Sequence, residues 1–205
     1  MRRPHDLAAL ILGLVLSAPA WAGEAGDAVF AERGPWALGD QVLTYRMQVQ
    51  GPQVDGFLPV ADGSLQLAEA IDPSDNQPVL QVIQKTDDRS RKIGPFPVSG
   101  GDPVLTFFLE QTTRDMAALT GGSPFYIRNR IKDAVFRGGD ITLDQNGRTA
   151  RFQPFADDPN AERMRGFQTL TLTFHLDDDP ARPIREMRAR TQGETPGYDR
   201  HMVLK

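Results

Sequence analysis

Residues 100–139 read GGDPVLTFFLEQTTRDMAALTGGSPFYIRNRIKDAVFRGG, and the stretch holds two complete sets of helix start and stop signals. Asp102 is placed to cap the first helix, because its carboxylate can accept from the unpaired N–H groups of a first turn. Pro103 follows at the one helical position where a missing N–H costs nothing. Leu105, Phe108, Leu109, Thr112, Met116 and Leu119 then recur at three- and four-residue steps and share a face, while Glu110, Arg114 and Asp115 fall off it. Gly121-Gly122 stops this helix, and Ser123-Pro124 starts the next. Ile127, Ile131, Ala134 and Val135 form the second apolar stripe. Arg128, Arg130, Lys132 and Arg137 make the outer surface basic, and Gly138-Gly139 ends the element. Two helices so closely joined must be neighbours, and their stripes need a sheet to lie on.

Strands are predicted on both sides of the helical pair. Upstream, Leu43, Tyr45, Met47 and Val49 alternate with polar residues, the period of a strand with one buried face. Residues 63–71 repeat the pattern. Residues 79–85 are apolar on both faces, which predicts a central strand, and 89–93 form a fourth. The run Gly94-Pro95-Phe96-Pro97-Val98 cannot enter a central strand, since neither proline donates to a ladder; it reads as a stiff extended lead into the helices.

Downstream, 140–144 and 148–153 form a hairpin around Gln145-Asn146-Gly147. In the strand read over 168–176, Leu170, Leu172, Phe174 and Leu176 alternate with threonines and His175, and 184–191 and 198–204 complete the set. Joins are short and no strand–helix–strand repeat occurs, so pairing is antiparallel. The expected fold is α+β: a twisted antiparallel sheet of about eight strands, open or curled into a half-barrel, with the two-helix insertion on its concave face.

The chain opens with Arg2-Arg3, an apolar run from Leu7 to Leu16, and Ala20-Trp21-Ala22, the pattern of a secretory signal peptide cleaved after Ala22. The apolar run is about half of the ~20 residues a membrane span needs. Residues 23–34 read as a flexible lead-in to a single domain spanning 35–205. There is no cysteine among 205 residues, which for an exported chain suits a periplasm. Loss of Arg2, Arg3 and Asp6 with the leader removes one net positive charge and takes the formal charge from −4 to −5. An acidic chain offers nucleic acid no overall attraction, and no later segment is long and apolar enough to span a membrane.

Motifs for common chemistries are missing. Beyond the leader the histidines are His175 and His201; with Asp177 or Asp199 they could approach a metal-site geometry only if the strands bring them together. No Gly-x-Ser-x-Gly elbow is present. Neither glycine pair fits a phosphate loop, and Asp177-Asp178-Asp179 lacks the spacing of a calcium loop. No catalytic residue, metal or cofactor is assigned.

Two surfaces remain. Phe96, Phe107, Phe108, Phe125 and Tyr126 crowd the helical insertion and could line an apolar ligand cleft. Arg128, Arg130 and Lys132 could meet an acidic partner. In element order alone the chain resembles the carriers that ferry lipoproteins across the periplasm, in which helices close an open antiparallel half-barrel. No residues are carried over from that likeness. The resulting expectation is a periplasmic, non-catalytic binding or carrier protein for an apolar small molecule, a lipid or a partner chain. The alternatives are a carboxylate- or metal-dependent hydrolase and an accessory subunit bound to an envelope protein.

Overall fold

A computed structural model describes residues 23–87, 89–145, 147–193 and 197–205. The leader with its cleavage point, Asn146 of the hairpin turn and residues 194–196 of the last turn lie outside the described residues.

In chain order the elements are α1 (Glu24–Val29), β1 (Val42–Gln50), β2 (Val60–Ile71), β3 (Pro78–Thr86), β4 (Arg89–Pro97), α2 (Pro103–Thr120), α3 (Pro124–Arg137), β5 (Asp140–Asp144), β6 (Gly147–Phe152), β7 (Thr171–Leu176), β8 (Glu186–Arg190) and β9 (Asp199–Leu204). Two single turns of 3-10 helix, Ala161–Arg163 and Phe167–Thr169, precede β7. The nine strands form one open, twisted antiparallel sheet in the order β4-β3-β2-β1-β9-β8-β7-β6-β5.

This order has a simple logic. Strands β1–β4 and β5–β9 are two meanders, and the first and last strands join them at the centre through pairs such as Met47 with Met202. The chain must therefore pass from one outer edge, β4, to the other, β5. Nine strands measure roughly 38 Å across. The 18-residue α2, about 27 Å long, and α3 after it make that connection.

The helix signals work as the sequence indicates. Asp102 accepts from Val104 N at 2.8 Å and Leu105 N at 3.1 Å, Ser123 Oγ accepts from Tyr126 N, and Gly121 closes α2 in the left-handed region at φ 73°. One face of the sheet carries the core. Leu67, Val82, Met47, Met202, Met187, Leu172 and Phe174 are all buried there, and Phe108 of α2 meets Phe174 edge-on at 5.7 Å.

The open, twisted antiparallel sheet with its helical pair is the α+β fold expected from the sequence, and it has nine strands. Several other features differ from the sequence reading. Strand β3 lies second from an edge; Leu80 and Val82 are buried on the core face, while Val79 and Ile83 on the other face are half-buried. The proline-rich run is not a separate lead, because β4 continues to Pro97 as the outermost strand, where absent donors leave no neighbour unpaired. Gln168 and Thr169 belong to a 3-10 turn, not to β7. The stretch read as a lead-in forms α1, whose Ala25, Ala28 and Val29 are buried. Asp115, expected away from the buried face of α2, is 9% exposed and faces the sheet. Among the described residues no helix is long and apolar enough to cross a membrane.

Candidate functional site

Strand alternation that buries one face must present the other. On β6 to β9 the presented side chains are Arg151, then Thr171, Thr173 and His175, then Glu186, Arg188 and Arg190, then Asp199 and His201. No described helix covers this face. The ladder aligns Arg151 with Thr173, Thr173 with Arg188, and Arg188 with His201; the next row aligns Thr171 with Arg190 and Arg190 with Asp199. With the loops around Gln53 and Gln192 as walls, these side chains other than His201 line an open trough of about 900 Å³.

The trough is polar and unevenly charged. Arg188 donates to Asp199 through Nε at 2.9 Å and Nη2 at 2.5 Å; hydrogen bonding to that carboxylate raises its pKa and keeps it charged. His201 Nε2 and Glu186 Oε1 lie 2.7 Å apart, and Thr149 Oγ1 and His175 Nδ1 3.0 Å apart. Arg151 and Arg190 are exposed and make no hydrogen bond or ion pair with a described residue. Three arginines thus face two carboxylates, and two guanidinium groups flank the Thr171–Thr173 ledge with their forks unused. Guanidinium forks match carboxylate, phosphate and sulfate geometry, and threonine hydroxyls add donors that can turn to suit.

The histidines do not form a metal site. Strand β8 separates β7 from β9, so their strands lie roughly 10 Å apart. Asp177 pairs with Arg185 and accepts from Asp179 N, which makes the acidic run a strand-end turn. Among the described residues no group of three His, Asp or Glu side chains could hold a metal ion.

The aromatic candidates are dispersed. Phe107 and Phe108 are buried in the core, Phe96 is half-buried on β4, and Phe125 is 71% exposed. The Tyr126 hydroxyl is bound to Asp158 at 2.7 Å. They do not enclose a common cavity with the residues that line the trough. The basic surface of α3 is largely neutralised from within. Arg128 makes a two-pronged pair with Glu110 of α2, Arg130 lies 2.9 Å from Asp158, and Lys132 sits over the Phe136 ring.

The trough arginines escaped the sequence reading. Their signal is the alternation Glu186-Met187-Arg188-Ala189-Arg190, in which every second residue is charged. It marks a solvated face, but only the neighbouring strands show that the face is a trough. No known protein-family model matches the chain, and no curated protein matches it.

Proposed function

We propose that the chain is an exported, non-catalytic binding protein whose ligand is a small oxyanion-bearing molecule held in the trough on the uncovered sheet face. The observation that carries this reading is the pair Arg151 and Arg190, which flank the Thr171–Thr173 ledge with no described acceptor. Arg188 is different: Asp199 already holds it, so it orients and does not recruit. The trough volume lies within the range of small-molecule sites. The core beneath is filled by large side chains, which favours a polar site on the surface over an apolar chamber inside. Export rests on the leader pattern ending at Ala22.

Titration of the ¹⁵N-labelled protein with citrate, observed by NMR, tests the site. Saturable shifts in β6, β7 and β8 that disappear in the Arg151→Ala/Arg190→Ala variant are expected; shifts that persist in it exclude the site. Intact mass of the chain expressed with its leader in a bacterial host tests export. A product beginning at Gly23 is expected, and a full-length product removes that part of the reading.

A further inference from the structure

A second cleft opens on the opposite face of the sheet, and its chemistry differs from that of the trough. It lies between α2 and the end of the sheet where the β3–β4 hairpin and the 56–60 loop rise, with a volume of about 760 Å³. One wall is apolar: Leu58, at 69% exposure, and Pro59 beside it. The facing walls carry more cations than anions, with Asp87 as the exposed carboxylate at the hairpin end. Arg114 projects from α2 and has no described acceptor, Arg91 of β4 is fixed by Gln84 Oε1 at 3.0 Å, and the buried Arg200 lies in the floor.

We infer that this cleft is a separate binding site for an amphiphilic organic acid, with its carboxylate on Arg114 and Arg91 and its apolar body along Leu58 and Pro59. Three features argue for that class. An exposed leucine is ordinary alone, but here it borders a walled cavity with a positive rim. Arg200 is 4% exposed and its charge is anchored by Asp115, so the floor is fixed before any ligand arrives. Gln111 and Asp115 lie one helical turn apart on the wall that carries Arg114, so the polar groups share a rigid element. Pro59 borders both sites, but Leu58 and Arg114 line the cleft and not the trough, so the two sites select different ligands.

The test uses octanoate and acetate as probes, with ¹⁵N shifts read at residues 86–91 and 111–115. Octanoate is expected to saturate and to bind at least about tenfold tighter than acetate, because several methylenes leave water. Arg114→Ala and Leu58→Ser should each weaken octanoate about tenfold. Both residues are exposed, so their replacement leaves the fold intact. Arg151→Ala/Arg190→Ala should leave octanoate binding unchanged, which separates this site from the trough. Equal affinity for octanoate and acetate, or octanoate binding retained in Arg114→Ala, overturns the inference. Octanoate shifts confined to β6–β8 overturn it too, and leave the trough reading standing.

Discussion

Asp115 Oδ2 accepts from Arg200 Nη2 at 2.7 Å, from Arg200 Nε at 3.0 Å and from the Tyr198 hydroxyl at 2.8 Å. This carboxylate ties α2 to the central strand β9 inside the core. Burial pushes the Tyr198 hydroxyl up, so it stays a neutral donor. For Arg200 burial acts downward, but Tyr198 and Asp115 outweigh it and the guanidinium remains charged. Among the described residues Arg200 Nη1 finds only the Met47 thioether, 3.7 Å away.

Removing Asp115 alone therefore strands a buried cation. Asp115→Ala should cost about 3–5 kcal/mol, a large share of the 5–15 kcal/mol that typically holds a domain together. Tyr198→Phe loses one hydrogen bond to a charge that Arg200 still satisfies, and should cost about 1–2 kcal/mol. Asp115→Leu with Arg200→Met should be far less damaging than Asp115→Ala, since no charge remains to desolvate. Urea unfolding of the three variants checks this. A double variant as unstable as the single one would mean that shape, not charge, matters here.

The helices, their caps and most strand bounds were legible because their causes are local: Asp102-Pro103 and Ser123-Pro124 act within one turn, and alternation acts within one strand. The pairing of β1 with β9 was not legible. It joins residues such as Tyr45 and Leu204, and no turn lies between them to announce it. The Asp115–Arg200 pair was half legible. Arg200 shares the phase of Met202 on β9 and of Tyr198 just before it, and a charge in the apolar phase of a strand demands a buried counter-charge. Which carboxylate answers it depends on where α2 crosses the sheet. The trough failed for the same reason, since each of its arginines reads singly as surface.

Asp158 joins α3 to the loop before β7. Its carboxylate accepts from the Tyr126 hydroxyl at 2.7 Å and from Asn160 N at 2.8 Å, and Arg130 lies 2.9 Å away. Burial raises its pKa, but Tyr126, Asn160 and Arg130 together outweigh burial and hold it below the ordinary carboxylate range. A depressed pKa stabilises the fold at every pH above the unfolded value of ~3.9. That contribution is lost as pH falls through the folded value. Asp158→Asn should be less stable at pH 7 by about 1–3 kcal/mol and should show a flatter decline in acid. Unfolding free energies followed from pH 7 to pH 2 check the sign. Parallel acid limbs would assign the acid sensitivity to other carboxylates.

The trough arginines should behave as binding groups that the fold does not need. Arg151→Ala and Arg190→Ala should change stability by no more than about 0.5 kcal/mol, because neither side chain has a described polar partner. Arg188→Ala removes a two-pronged pair with Asp199 and should cost more, up to about 1 kcal/mol for a pair this exposed. Thermal melts of the three proteins rank them. If Arg151→Ala or Arg190→Ala proved the most destabilised, their forks would be structural and the oxyanion site would lose its basis.

The short helix α1 gives the sharpest contrast between composition and structure. Its six residues look like a loose terminus, yet they dock against α3 through a glycine. A Cβ built on Gly26 would lie 2.2 Å from the Val135 carbonyl oxygen, so the two backbones meet where any side chain would intrude. Gly26→Ala sets two effects against each other. Alanine favours the helix by about 1 kcal/mol. Overpacking against a fixed carbonyl costs about 1–3 kcal/mol and should win. Asp27→Ala is the control: it places the same methyl one residue on, at an exposed position, and should be near neutral. Hydrogen exchange at Val29 and Phe30 reads the outcome locally. Phe30 N bonds to Gly26 O at 2.9 Å, so undocking should free that amide in Gly26→Ala and leave it protected in Asp27→Ala. Equal protection in both variants would show that α1 holds without the close approach, and that the buried Ala25, Ala28 and Val29 suffice.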